Sequence, residues 1–173
     1  MGMPSTDKRA RAVCEAMAKH EGVAWVGMVL RDRKPEGPGE VVGYAAVVRA
    51  GDVRGPGWWC AYVGLCPSLE NALRTIYVHG GITFTTLYGI PWCLGSRPFR
   101  WMPEGFGWVG WDYAHWGDCT GYPGGQTGKQ WSLEEVVEQE LKGAVAQLDM
   151  GKGYLAKGVA GRVVSPEEWF YGR

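Results

Sequence analysis

Apolar residues recur at helical spacing in two parts of this chain and form strand-length runs between them. Ala10, Val13, Cys14 and Met17 fall on one side of a helix that Ser5, Thr6 or Asp7 can cap and Gly22 can end. Leu133, Val136, Val137, Leu141, Ala144, Val145 and Leu148 make a second apolar stripe over 132–148, with Ser132 and Glu135 at capping-box spacing ahead of it. Residues 24–30, 41–48 and 58–64 are short apolar runs that predict strands. Prolines and glycines over 34–39 and 51–57 break both periodicities, so the first two strands read as a long-looped hairpin and the third follows a second reversal.

Further along, 67–73 predicts a short helix or turn, and 77–85 a strand interrupted by Gly80 and Gly81. Paired glycines there mark a bulge or a place where another group approaches the backbone closely. Residues 106–113 return to alternation, 86–106 and 122–128 read as loops, and the tail from Gly151 as a surface wrap. The pattern predicts an α+β fold: a single globular domain over 1–173, its antiparallel sheet covered on one face by two or three helices.

Composition narrows the function classes. At 173 residues and 46% hydrophobic, the chain is long enough to build one packed core. Its 28 glycines and 10 tryptophans are both in excess and imply many turns with large rings between them. Lys and Arg, at 18, balance 18 Asp and Glu, which argues against non-specific DNA binding, a process that needs a basic surplus. Cys14, Cys60, Cys66, Cys93 and Cys119 have no CxxC pair, so they read as reduced thiols in a cytoplasm and not as a disulfide framework or a structural zinc site. The first residues lack the apolar core of a signal peptide and no run approaches a bilayer span, giving the expectation of a cytoplasmic protein without a membrane partner.

The chemistry concentrates in two segments, 77–84 and 108–118, which hold two of the three histidines. Asp112, His115 and Asp118 step by three and share a side if the chain turns helically after Asp112, with Gly117 favouring such a turn. His79 faces them if the two strands pair. Two imidazoles with two carboxylates can move protons near neutral pH, and the same set can hold a divalent metal. Each residue alone also fits ordinary turn chemistry. Trp92, Trp101, Trp108, Trp111 and Trp116 crowd the same region, where rings fill cores or stack on bases. Arg97 and Arg100 can receive a phosphate or carboxylate or remain solvated. His20 reads as a helix C-terminal residue.

The segments 58–64, 78–84 and 108–118, followed by a helix ending Ala146, Gln147 and Leu148, resemble a group of small proteins of phages and prophage-bearing bacteria. Members of that group carry a GYV, a VHGG(I/L)TF, a W(W/F)(I/F)GFDCAHxGD and a final helix closing in QL. The resemblance covers about residues 58–148. It implies His79, Thr83, Asp112, His115 and Asp118 as the recurrent polar positions, with Gly80, Gly81 and Gly117 as backbone positions. Trp111 and Tyr113 stand where the group has Phe and Cys, the segment 67–75 is not its acidic, proline-rich loop, and the first sixty residues lie outside the match. The group implies a phage context in the host cytoplasm and no particular reaction.

These observations lead to one expectation with two rivals. The expectation is a small hydrolase, a phosphodiesterase acting on a nucleotide-like ligand. His79 and His115 exchange protons, and Asp112 and Asp118 orient them or hold a cation, while Gly80, Gly81, Thr83, Trp111 and Trp116 contact the ligand. The rivals are a non-catalytic binder of a host small molecule and a blocker of a host protein through exposed rings. Self-association is compatible with all three.

Overall fold

The computed structural model describes residues 5–32, 39–51, 56–87, 97–122, 124–125, 127–148 and 150–161. The candidate caps of the first helix, most of both early reversals, Trp92 and Cys93 in the long loop, and the tail beyond 161 lie outside the described residues or side chains. Helix α1 spans Ser5–Ala18 and leads into β1 (Val23–Arg31), β2 (Glu40–Gly51) and β3 (Gly57–Leu65). A 3-10 turn at Glu70–Thr75 precedes β4 (Phe84–Thr85) and β5 (Gly107–Asp112). The C-terminal helix starts at Leu133–Glu135, continues as a π-helical stretch over Val136–Leu141 and finishes as Lys142–Gln147. Ser132 caps it, and both hydrogen bonds of the capping box form with Glu135.

The strands, with β6 at Gly153–Leu155, make one antiparallel sheet in the order β4-β5-β3-β2-β1-β6, and β7 (Val159–Ala160) also pairs with β1. The fold is therefore α+β. The helices differ from expectation in covering both faces. Ala10, Cys14 and Met17 of α1 pack with Val26, Tyr44, Ala46 and Trp108. Val137, Leu141, Ala144 and Val145 of the C-terminal helix pack with Val29, Ala45, Val47, Val63 and Val109. Adjacent residues such as Ala45 and Ala46 thus enter opposite cores, and both are fully buried. The unbroken apolar run of β2 is the signature of a strand buried on both sides, which an amphipathic reading misses.

Two bulges adjust the alternation. Val23 pairs with Val48 and Trp25 with Val47, leaving Ala24 as the extra residue, and Val42 is the extra residue between Gly43 and Val41. Both extra side chains join the core under the C-terminal helix. On the other face, the Trp108 ring lies over Gly64, where a Cβ would come within 2.6 Å of it.

Two further expectations are corrected. Of the strand expected over 77–85, only Phe84–Thr85 forms, because Gly80 and Gly81 adopt φ of 68° and 81° and the chain turns, with Gly81 N–H donating to Val78 O at 3.0 Å. The tail does not merely wrap the surface: β6 (Gly153–Leu155) and β7 extend the sheet along β1. Cys14, Cys60 and Cys66 are free thiols. No helix among the described residues is long and apolar enough to cross a membrane.

Candidate functional site

The end of β5 and the turn before β4 come together beside the start of the C-terminal helix. Asp112 closes β5, and its Oδ1 accepts the Ala114 N–H at 3.1 Å, which starts the turn expected there. His115 to Asp118 is then a tight reversal, with Asp118 N–H donating to His115 O at 2.9 Å and Gly117 at φ 93° supplying the left-handed position. The reversal folds Asp118 inward until its side chain is 3% exposed.

Three donors converge on that buried carboxylate. His79 Nε2 lies 2.8 Å from Oδ2, His115 N–H donates to Oδ2 at 2.9 Å, and Trp131 Nε1–H donates to Oδ1 at 2.9 Å. Burial pushes the Asp118 carboxyl up, but the bonds from His79, Trp131 and the His115 backbone outweigh it and hold the group below its ordinary value. An ionised Asp118 makes His79 Nε2 the protonated nitrogen, so the neutral ring carries its lone pair at Nδ1.

Aromatic packing fixes the His79 ring. It stacks on Tyr113 at 5.1 Å and 3°, meets Trp131 at 4.9 Å and stands edge-on to His115 at 5.3 Å and 78°. His115 fits only because residue 80 is glycine: a Cβ there would fall 2.2 Å from its Cε1. The Nδ1 of His115 is buried without a hydrogen-bond partner among the described residues, 3.6 Å from Asp118 Oδ2 and 3.8 Å from Asp112 Oδ1, both beyond hydrogen-bond length. The two imidazole side chains remain 25% and 29% exposed, so solvent reaches the pair.

The structure brings together His79, Asp112, His115 and Asp118, with Gly80 against the His115 ring. Gly81 borders open space. Thr83 is held through its N–H on Gly110 O at 2.9 Å, and its side chain is exposed. Trp111 must be corrected as a ligand contact. It is 1% exposed in the sheet core and its Nε1–H donates to Tyr113 OH at 3.0 Å, so it supports the stack from beneath. Trp116, at the tip of the reversal, is fully exposed. Arg97 is committed to Met102 O at 3.0 Å and Glu104 at 3.0 Å, and His20 stacks on Trp101 at 5.2 Å.

Sequence reasoning missed Trp131, Tyr113 and Gln147 as parts of this site. Trp131 directly precedes the Ser132 cap, a position that signals a hydrophobic staple and so a packed ring. Backbone bonds from Lys129 N–H to Gly117 O (2.7 Å) and Cys119 N–H to Lys129 O (2.8 Å) bring its segment alongside Asp118. Gln147 accepts the Tyr77 N–H at 2.6 Å and donates to Tyr77 O at 2.9 Å, anchoring the segment that carries His79. Its signal was the closing QL of the resemblance. His79, His115 and Asp118 offer ligand atoms all within 4.8 Å of one another, a donor set able to hold a metal ion.

Comparisons with protein-family models, curated proteins and solved structures return no match.

Proposed function

We propose that this chain is a small hydrolase of phage type that cleaves a phosphodiester in a nucleotide-like ligand. The observation that carries the reading is a buried carboxylate, Asp118, gathering two partly exposed imidazoles at one edge of the sheet. Gathering such groups is costly without a use, since each must be desolvated and partnered. His79, with Nε2–H tied to Asp118, takes a proton from water through Nδ1 as the water oxygen forms a bond to phosphorus. The bond from phosphorus to the leaving oxygen breaks as His115 delivers a proton to that oxygen. Asp112 Oδ1, 3.8 Å from His115 Nδ1, lines the same side of the cluster. The exposed ring of Trp116, the residue after His115, supports stacking of a base, worth about 1–3 kcal/mol.

The test is a panel of mono-, di- and cyclic nucleotides and bis(4-nitrophenyl) phosphate, with products followed by chromatography and binding by tryptophan quenching. Turnover is expected for at least one compound, falling by about 10²–10⁴-fold in His115→Ala while circular dichroism stays native. Saturable quenching without turnover makes the protein a binder. Silence in both assays defeats the nucleotide reading and favours a contact with a host protein through Trp116 and Tyr77, whose rings are exposed.

A further inference from the structure

We infer that His79, His115 and Asp118 form a binding site for a divalent first-row transition ion, with zinc and cobalt preferred over magnesium and calcium. The inference concerns binding, goes beyond the hydrolytic reading and stands or falls separately from it. Three observations carry it. The ligand atoms of the three residues lie within 4.8 Å of one another, His79 coming from a segment far in the chain from the turn that carries His115 and Asp118. His115 Nδ1 is a buried ring nitrogen with no hydrogen-bond partner among the described residues, 3.6 Å from Asp118 Oδ2. The carboxylate is already oriented, because Trp131 Nε1–H donates to Oδ1 and the His115 backbone N–H to Oδ2, the oxygen nearer both rings.

The separations suit an ion. Zinc bonds of about 2.0–2.2 Å to nitrogen and carboxylate oxygen place neighbouring tetrahedral donors about 3.4 Å apart. The observed 2.8 Å from His79 Nε2 to Oδ2 and 3.6 Å from His115 Nδ1 to Oδ2 bracket that edge. In the structure a proton joins His79 to Asp118, and an ion entering between the three donors takes its place. Two nitrogens and one oxygen make a borderline donor set, whereas magnesium and calcium favour oxygen throughout. The packing of His79 on Tyr113 and Trp131, and of His115 on Gly80, holds both rings in place before any ion arrives.

The chain has three histidines, so imidazole 15N NMR can test the site on the tag-free protein of unaltered sequence. One equivalent of zinc should shift the ring resonances of His79 and His115 and leave His20 unmoved. Cobalt should give visible d–d absorption that saturates at one ion per chain and falls at least tenfold in His115→Ala and His79→Gln. Magnesium should produce neither response. If zinc moves none of the three histidines, or only His20, or if cobalt absorption survives both substitutions, the site does not exist as drawn. The hydrolytic reading would be untouched, because turnover is measured on its own.

Discussion

A Cβ at residue 80 would meet the His115 ring at 2.2 Å, whereas one at residue 81 would meet nothing within 4 Å, although both glycines have positive φ. Alanine at either position incurs the backbone strain of the left-handed region, on the order of 1–3 kcal/mol. Only alanine at 80 must also push an imidazole out of the cluster. Gly81→Ala is therefore expected to lower stability by about 1 kcal/mol with ligand quenching intact. Gly80→Ala should lower it further and abolish quenching, as read from urea midpoints and titrations of the two variants. Equal behaviour of the pair would show that His115 is not wedged against residue 80. The paired glycines announced a close approach in the sequence, and its partner was a histidine from the other motif. Trp131 could not be seen the same way, because only the folded chain brings the residue before a helix cap against Asp118.

Among the elements, those with several residues of clear periodicity were legible: α1, β1 to β3, β5 and the C-terminal helix. Elements of two or three residues, β4, β6 and β7, are too short to show a period and depend on strands already in place. The side of the sheet that each helix covers was also hidden, because Ala45 and Ala46 are equally apolar and only packing sends them to opposite cores. The link from the C-terminal helix to the site is of the same kind. Gln147 sits in the last turn of the helix and clamps both backbone groups of Tyr77, two residues before His79. Gln147→Leu removes both bonds at an exposed position, so global stability should fall by no more than about 1–2 kcal/mol. Hydrogen exchange at the Tyr77 amide should accelerate at least tenfold, and occupancy of the cluster by nucleotide or zinc should weaken with it. Unchanged exchange at Tyr77 would remove Gln147 from the account of how His79 is placed.

At the scale of the whole molecule, the sheet lies between two cores, and each contains protonated acids that burial keeps neutral. Under α1, burial pushes the Cys14 thiol from 9.0 to about 12 and the Tyr44 hydroxyl from 10.0 to about 12. On β3, burial first and the charge of Asp112 second raise Cys60 to about 11, and burial also raises Tyr62 beside it. On the opposite face, burial raises Tyr113 under the His79 ring. An acid whose folded value lies above its unfolded one contributes stability that is complete below the unfolded value and is lost as pH climbs through the folded one. The urea midpoint should therefore stay level between about pH 7 and 9 and fall steeply from 9 toward 12, by an amount on the order of a few kcal/mol. Arg49, lowered to about 10 by burial, works in the opposite direction, one group against five. Because the acids occupy both cores, the two faces should melt together, with tryptophan emission and far-UV circular dichroism giving coincident transitions. Cys14→Ala should flatten the alkaline fall by the share of one thiol. A midpoint that stays constant to pH 11, or a fall that Cys14→Ala leaves unchanged, would mean that the thiol facing the sheet from α1 reaches solvent before the protein unfolds.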